Sequence, residues 1–208
     1  MEKDRKDSLL RIGERLFALH GYRDVSIGDI TEAAGLAMGS FYTYFPGKES
    51  FYAEILDRIE QRGIREVERH VNSFHSPLNK LKALYRYTTL SLGSNEILRG
   101  IYTGEKRFLY PGLESRTAGR NMLFERIGAR IDAILSEGAR KGVFRTGLFH
   151  DPKRMLIAIF NSLLLDIGHQ KSGEVLDDML LLIERGLKRW LRLRKRDERL
   201  DWRARREP

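Results

Sequence analysis

Apolar and polar residues alternate along this chain at helical intervals almost from the first residue. Between Lys3 and His20 the apolar positions are Leu9, Leu10, Ile12, Leu16, Phe17 and Leu19. Charged residues lie between them and Gly21 follows, a pattern that predicts a first amphipathic helix. Ser26 then precedes Ile27, Ile30 and Ala34, again at helical spacing. Its hydroxyl can accept from the N–H three residues on, and Asp29 favours the positive start of a helix, so a short helix is expected from Ile27 to Ala34. Gly35 suits a left-handed helix end. A second short helix should run from Met38 to Phe45, stopped by Pro46 and Gly47, with Phe41 and Phe45 one turn apart on its buried side. Lys48 to Phe74 reads as one long helix whose apolar side holds Phe51, Ile55, Leu56, Ile59, Ile64 and Val67.

From Ser76 onward apolar residues recur at three and four, and nowhere does the two-residue alternation of a strand appear. Helices are expected from Pro77 to Leu92, from Asn95 towards Tyr110, and from Ser115 to Lys141 after a break at Pro111-Gly112. Two more should run from Pro152 to Gly168 and from Val175 into the C-terminal tail. The chain should therefore be all-α, with about nine helices: a three-helix N-terminal head on a larger helical body.

Composition narrows the chemistry. With 208 residues, 41% of them hydrophobic, the chain can bury a real core, and no uninterrupted apolar run approaches the length of a membrane span. The charged start MEKDRKDSLL reads as neither a signal nor a transit peptide, and the absence of cysteine rules out disulfides and thiolate zinc sites, so a cytoplasmic protein is expected. The formal charge of +9 is unevenly placed: residues 1–50 hold seven Lys/Arg against eight Asp/Glu, while 185–208 hold eleven against four. The basicity belongs to the tail and gives no support to a DNA-binding head. Three readings of the tail remain open: a solvated helix end, a DNA-binding arm and a membrane-surface helix. His20, His70, His75, His150 and His169 lack the i,i+4 spacing of metal ligands, and neither a Gly-x-Ser-x-Gly nor a His-Glu-x-x-His sequence occurs. No metal, no cofactor and no enzymatic activity are expected.

The two short helices, joined by a turn containing Gly35, form a helix-turn-helix, whose second helix can enter the DNA major groove. Ile30, Phe41 and Phe45 read as its core. Gly39 inside the short second helix costs about 1 kcal/mol relative to Ala, and close approach of the backbone to a partner accounts for it. The run from Gly21 to Phe51 resembles the DNA-binding domain of the tetracycline-repressor (TetR) family. The likeness rests on Gly21-Tyr22, Ser26, Asp29-Ile30, Ala34-Gly35-Leu36, Gly39, Tyr42, Tyr44-Phe45 and Lys48-Glu49. Ala37 departs from the family's usual Ser, so the second helix loses its cap, and Met38 replaces an often polar residue.

The resemblance implies a dimeric regulator of transcription that places two recognition helices on a near-palindromic operator and is released by a small-molecule effector. Residues 1–47 would form the DNA-binding domain, 48–196 the ligand-binding and dimerisation domain, and 197–208 a basic tail. DNA contacts are expected from Ser26, Met38, Gly39, Ser40, Tyr42, Thr43, Tyr44 and Lys48, with Lys48 suited to phosphate. The effector pocket would involve Tyr102, Phe108, Phe124, Phe160 and Asn161, whose amide in an apolar helix needs a partner; a hydrogen bond to a neighbouring helix is the alternative. The last two helices carry two apolar stripes, one for the protomer's own core and one for a partner. Leu156, Leu163, Leu180, Ile183 and Leu187 are assigned to the dimer interface. An activator or an effector-independent regulator fits the same fold. A membrane-surface protein is the alternative of a different class.

Overall fold

The structure is a computed structural model that describes residues 2–110, 117–144, 150–166 and 172–188, with side chains described over 4–110, 125–144, 150–163 and 173–186. The basic tail, Phe124 and Leu187 lie outside those described side chains, and so do the three readings of the tail. Among the described residues there are nine α-helices and no strand. They are α1 (Glu2–His20), α2 (Ile27–Ala33), α3 (Met38–Tyr42), α4 (Lys48–Asn72), α5 (Pro77–Ser94), α6 (Glu96–Thr103), α7 (Thr117–Arg140), α8 (Pro152–Asp166) and α9 (Ser172–Lys188).

Two expected helices end early, each for a local reason. The sixth stops at Thr103 because Gly104 turns left-handed (φ 80°) and the Glu105 N–H donates back to the Gly100 carbonyl at 2.7 Å. A single 3-10 turn, Lys106–Phe108, follows. The recognition helix α3 stops at Tyr42, although the Phe45 N–H still reaches the Phe41 carbonyl at 3.0 Å, so the expected turn of backbone persists in irregular form.

Helices α1, α2 and α3 close on a core of Leu9, Leu10, Phe17, Ile30, Phe41 and Phe45, all buried. That core does not end at the head. Phe51 and Tyr52, in the first turns of α4, are fully buried and join it, and Tyr110 reaches it from the segment after α6. Ring centroids step from Phe45 to Phe51 (4.7 Å), Phe51 to Phe17 (6.1 Å), Phe17 to Tyr52 (4.8 Å) and Tyr52 to Tyr110 (5.6 Å). These separations suit favourable aromatic pairs. Two hydrogen bonds cross the same boundary: the Tyr22 N–H donates to the Arg107 carbonyl at 2.6 Å, and the Tyr52 hydroxyl to the Phe108 carbonyl at 3.0 Å. Burial pushes the Tyr52 hydroxyl well above its usual range, so it stays a protonated donor.

The body is assembled around α5. Lys80 of α5 pairs with Glu137 of α7 at 2.7 Å, Lys82 and Arg86 pair with Glu184 and Asp177 of α9, and the Tyr85 hydroxyl donates to the Leu156 carbonyl of α8 at 2.6 Å.

Gly21 sits at the joint. Its φ is +84°, and a Cβ there would lie 2.7 Å from the Arg107 carbonyl oxygen, in backbone that is itself hydrogen-bonded. Gly35 is left-handed too (φ +64°), but a Cβ there would meet nothing within 4 Å. Gly35→Ala should therefore lose only the left-handed penalty of about 1–2 kcal/mol. Gly21→Ala should lose more, because the Tyr22–Arg107 bond must also open. Urea unfolding of the two variants beside the wild type measures the difference.

Candidate nucleic-acid interface

The helix-turn-helix is held by backbone-directed bonds that leave its outer face free. Ser26 caps α2 reciprocally: the Asp29 N–H donates to Ser26 Oγ at 3.1 Å, and the Ser26 N–H donates to Asp29 Oδ2 at 2.6 Å. The Ser26 hydroxyl also donates to Asp29 Oδ2 at 2.7 Å. These bonds, the backbone one foremost, hold the Asp29 carboxyl below its ordinary range. At the other end of α2 the Leu36 N–H returns to the Thr31 carbonyl at 2.9 Å, which fixes the turn into α3. Ala37 begins α3 in an extended conformation with no side-chain cap, as its loss of the hydroxyl requires; the Ser40 N–H bonds the Ala37 carbonyl at 2.9 Å instead.

Helix α3 divides cleanly. Phe41 is fully buried, its ring 5.1 Å from that of Phe51, whereas Met38 and Tyr42 are each 54% exposed and nothing lies within 4 Å of a Cβ placed on Gly39. Ser26, Gly39 and Thr43 are exposed beside them, and Ser40 and Tyr44 are half-buried. Met38 Cε would lie 3.7 Å from a Cβ at Gly28, so the start of α3 is next to the start of α2. An exposed methyl-bearing side chain, two hydroxyls and an open glycine on one short helix can meet base edges and sugar-phosphate at close range.

Lys48 opens α4. Its ammonium lies 4.4 Å from the centre of the Tyr22 ring and donates to the Arg23 carbonyl at 3.3 Å. Burial lowers its pKa, against the opposing pull of Asp24 and Asp29. The half-buried lysine thus also braces the turn between α1 and α2.

Residues 9–55 match the sequence profile described as bacterial regulatory proteins, tetR family. That segment is this family's DNA-binding domain. The match runs past residue 47 into α4, in line with the burial of Phe51 and Tyr52 in the head's core. Over 149 residues the chain is 27% identical to the HTH-type transcriptional repressor KstR2 of Mycolicibacterium smegmatis, covering 69% of each protein. A TetR/AcrR-family regulator from Thermobifida fusca superposes with a TM-score of 0.67 at 20% identity, over 88% of this chain and 98% of that one. The regulator FadR of Bacillus subtilis, solved in complex with stearoyl-CoA, superposes with a TM-score of 0.63 at 19% identity, over 86% and 98%. With that domain, and with a transcriptional repressor as a relative over two thirds of its length, the chain is a DNA-binding regulator of transcription and not an enzyme.

The body residues are placed less as the sequence implied. Tyr102, Phe108 and Phe160 are buried, with Phe108 seated against Gly100 and Phe160 edge-on to Tyr85 at 5.7 Å. Asn161, expected inside, is exposed. The face of α8 that enters the core is the one holding Leu156, Phe160 and Leu163, and Asn161 lies one residue round from it. The dimer assignment also needs correction. Leu156, Leu163, Leu180 and Ile183 are 0%, 2%, 3% and 6% exposed within the single protomer, so they pack its own core and are not available to a partner. Among the described residues, the apolar ones left open on α9 are Val175, Leu181 and Leu182, the last 69% exposed; Ala158, Asn161 and Ser162 are open on α8.

Sequence reasoning passed over Arg107 and Tyr110, which build the head-to-body joint; the Gly21-Tyr22 pair was the one signal of it. The capping box supplies a test of the head's local stability. Because the folded carboxyl of Asp29 titrates below its ordinary range, its contribution is complete above that range and is lost as pH falls through the depressed value. The stability gap between wild type and Asp29→Ala should therefore be widest near neutral pH and close on acidification. Thermal midpoints across pH 2–7 read this, and a gap independent of pH would rule it out.

Proposed function

We propose that this TetR-family regulator is an effector-released repressor that works in the cytoplasm as a homodimer on a near-palindromic DNA site. The single observation that carries the reading is the solvent face of α3. Its two large side chains, Met38 and Tyr42, are both more than half exposed on a helix whose other face is locked into the core. Such side chains have no folding role that would keep them there, and base contact gives them one. Met38 suits a thymine methyl group, Thr43 a base edge, and Tyr42, Ser40 and Ser26 the sugar-phosphate backbone.

Dimerisation is proposed through the open faces of α8 and α9, with Leu182 near the centre of the buried patch and Val175 and Leu181 beside it. Repression follows the function named for the KstR2 relative. The stearoyl-CoA held by the FadR neighbour makes acyl thioesters the first effector class to try. Thr88 Oγ1 and Thr89 Oγ1 on α5 are buried with no hydrogen-bond partner among the described residues, and they would be satisfied by a polar group on such a ligand. Release follows if the ligand displaces α6 or α4, because both are fastened to the head at Arg107, Phe108 and Tyr52.

Selection of bound duplexes from a random pool tests the reading. The wild type should enrich paired half-sites in inverted orientation. Met38→Ala and Thr43→Ala should change the preferred bases at fixed half-site spacing, and Leu182→Arg should yield a folded monomer that enriches single half-sites. Enrichment of the same sequence by all four proteins would refute both the assigned base contacts and the interface.

A further inference from the structure

Helix α9 divides its charges between two faces. Asp177 pairs with Arg86 of α5 and Glu184 with Lys82, so these two acids are engaged within the protomer. Asp178 and Arg185, each one residue further on, are exposed, and among the described residues neither has a partner. Seven residues separate them, about 10.5 Å along the helix at nearly the same angle around it. Between them lies Leu182, 69% exposed, with Leu181 open beside it. The outer face of α9 therefore reads acid, apolar, base in chain order. Glu174, exposed and likewise unpaired among the described residues one turn before Asp178, extends the acidic end. The open face of α8 has no such order. Asp151 accepts the Arg154 N–H at 2.8 Å, Lys153 pairs with Asp132 of α7 at 2.6 Å, and beyond Arg154 only Ala158, Asn161 and Ser162 are open among the described residues.

A face with that order is complementary to itself in one orientation. A second copy of α9 laid antiparallel about a two-fold axis between Leu181 and Leu182 brings Asp178, three residues before Leu181, opposite the partner's Arg185, three residues after Leu182. The two-fold repeats the pair on the other side of the axis and closes the leucines over one another. A parallel copy would instead set Asp178 against the partner's Asp178 and Arg185 against the partner's Arg185, and like charges brought together cost affinity. We propose that Asp178 and Arg185 fix the orientation and register of the homodimer by pairing with each other across this axis. The proposal rests on the reading of the open α8 and α9 faces as the dimer interface. Leu182 supplies apolar area at its centre, and the two ion pairs select an antiparallel copy of this chain over a parallel one.

The test is sedimentation equilibrium of charge-reversed proteins at low ionic strength. Both residues are exposed, so reversing them leaves the protomer's own core untouched. Asp178→Arg alone and Arg185→Asp alone each replace two attractive pairs by two repulsive ones, and each should raise the dimer dissociation constant about tenfold. The double variant Asp178→Arg/Arg185→Asp exchanges the signs and should return to within about threefold of the wild type. In about 1 M salt, where the screening length falls to about 3 Å, the single variants should converge on the wild type. Single variants that dimerise as tightly as the wild type at low salt overturn the proposal, as does a double variant no tighter than either single one. A wild type that sediments as a monomer, or a Leu182→Arg variant as dimeric as the wild type, would overturn the interface itself, a result separable from the charge exchange.

Discussion

Everything in this molecule that bears on DNA depends on the aromatic joint beneath the recognition helix. Phe41 and Phe45 anchor α3 and the turn after it to Phe51; Phe51 meets Phe17; Phe17 meets Tyr52; and Tyr52 meets Tyr110, which belongs to the body. A five-residue helix has too few hydrogen bonds to persist alone, since nucleating a helix is unfavourable and short ones are marginal in water. What keeps α3 helical is burial of its inner face. Each fully buried phenylalanine contributes on the order of 1.5–3 kcal/mol relative to exposure. Because the same rings continue into the body, head and body share one core.

That continuity couples the body to the head. The segment from Gly104 to Tyr110 is fastened to the head by the Tyr22 and Tyr52 hydrogen bonds. It is fastened to α6 by Phe108 packed on Gly100, and by Arg107, which pairs with Glu96 and Glu105 while lying over the Phe108 ring at 4.5 Å. A displacement of α6 would therefore pull on backbone that holds the start of α2 and α4. Close-packed cores transmit such shifts because they deform little.

Local signals made much of this readable in the sequence. Ser26 with Asp29, Gly35 after Ala34, and Pro77 and Pro152 at helix starts each encode a backbone event within a few residues, and α2, α5 and α8 begin at the expected positions. The family's motif did the rest for the head. What could not be read was the rotation of each body helix. A helix with apolar residues on more than one face, such as α8 or α9, does not announce which face a protomer keeps for itself. The dimer assignment accordingly fell on Leu163 and Leu180, which the protomer buries, while Leu182 is the leucine left open. Asn161 misled for the same reason, since its apolar neighbours in sequence are not its neighbours in space. The packing of Lys48 on the Tyr22 ring was not legible because the two residues are distant along the chain.

The central claim, that one aromatic core governs both the head and its link to the body, is tested most directly by native-state hydrogen exchange on Tyr52→Phe. This change removes the hydroxyl bonded to the Phe108 carbonyl and leaves the ring in place. Faster exchange is predicted at the Tyr22 amide and also across Leu36 to Phe45, on the far side of the core from the deleted bond. Acceleration confined to the segment from Glu105 to Tyr110, with α3 as protected as before, would contradict the account.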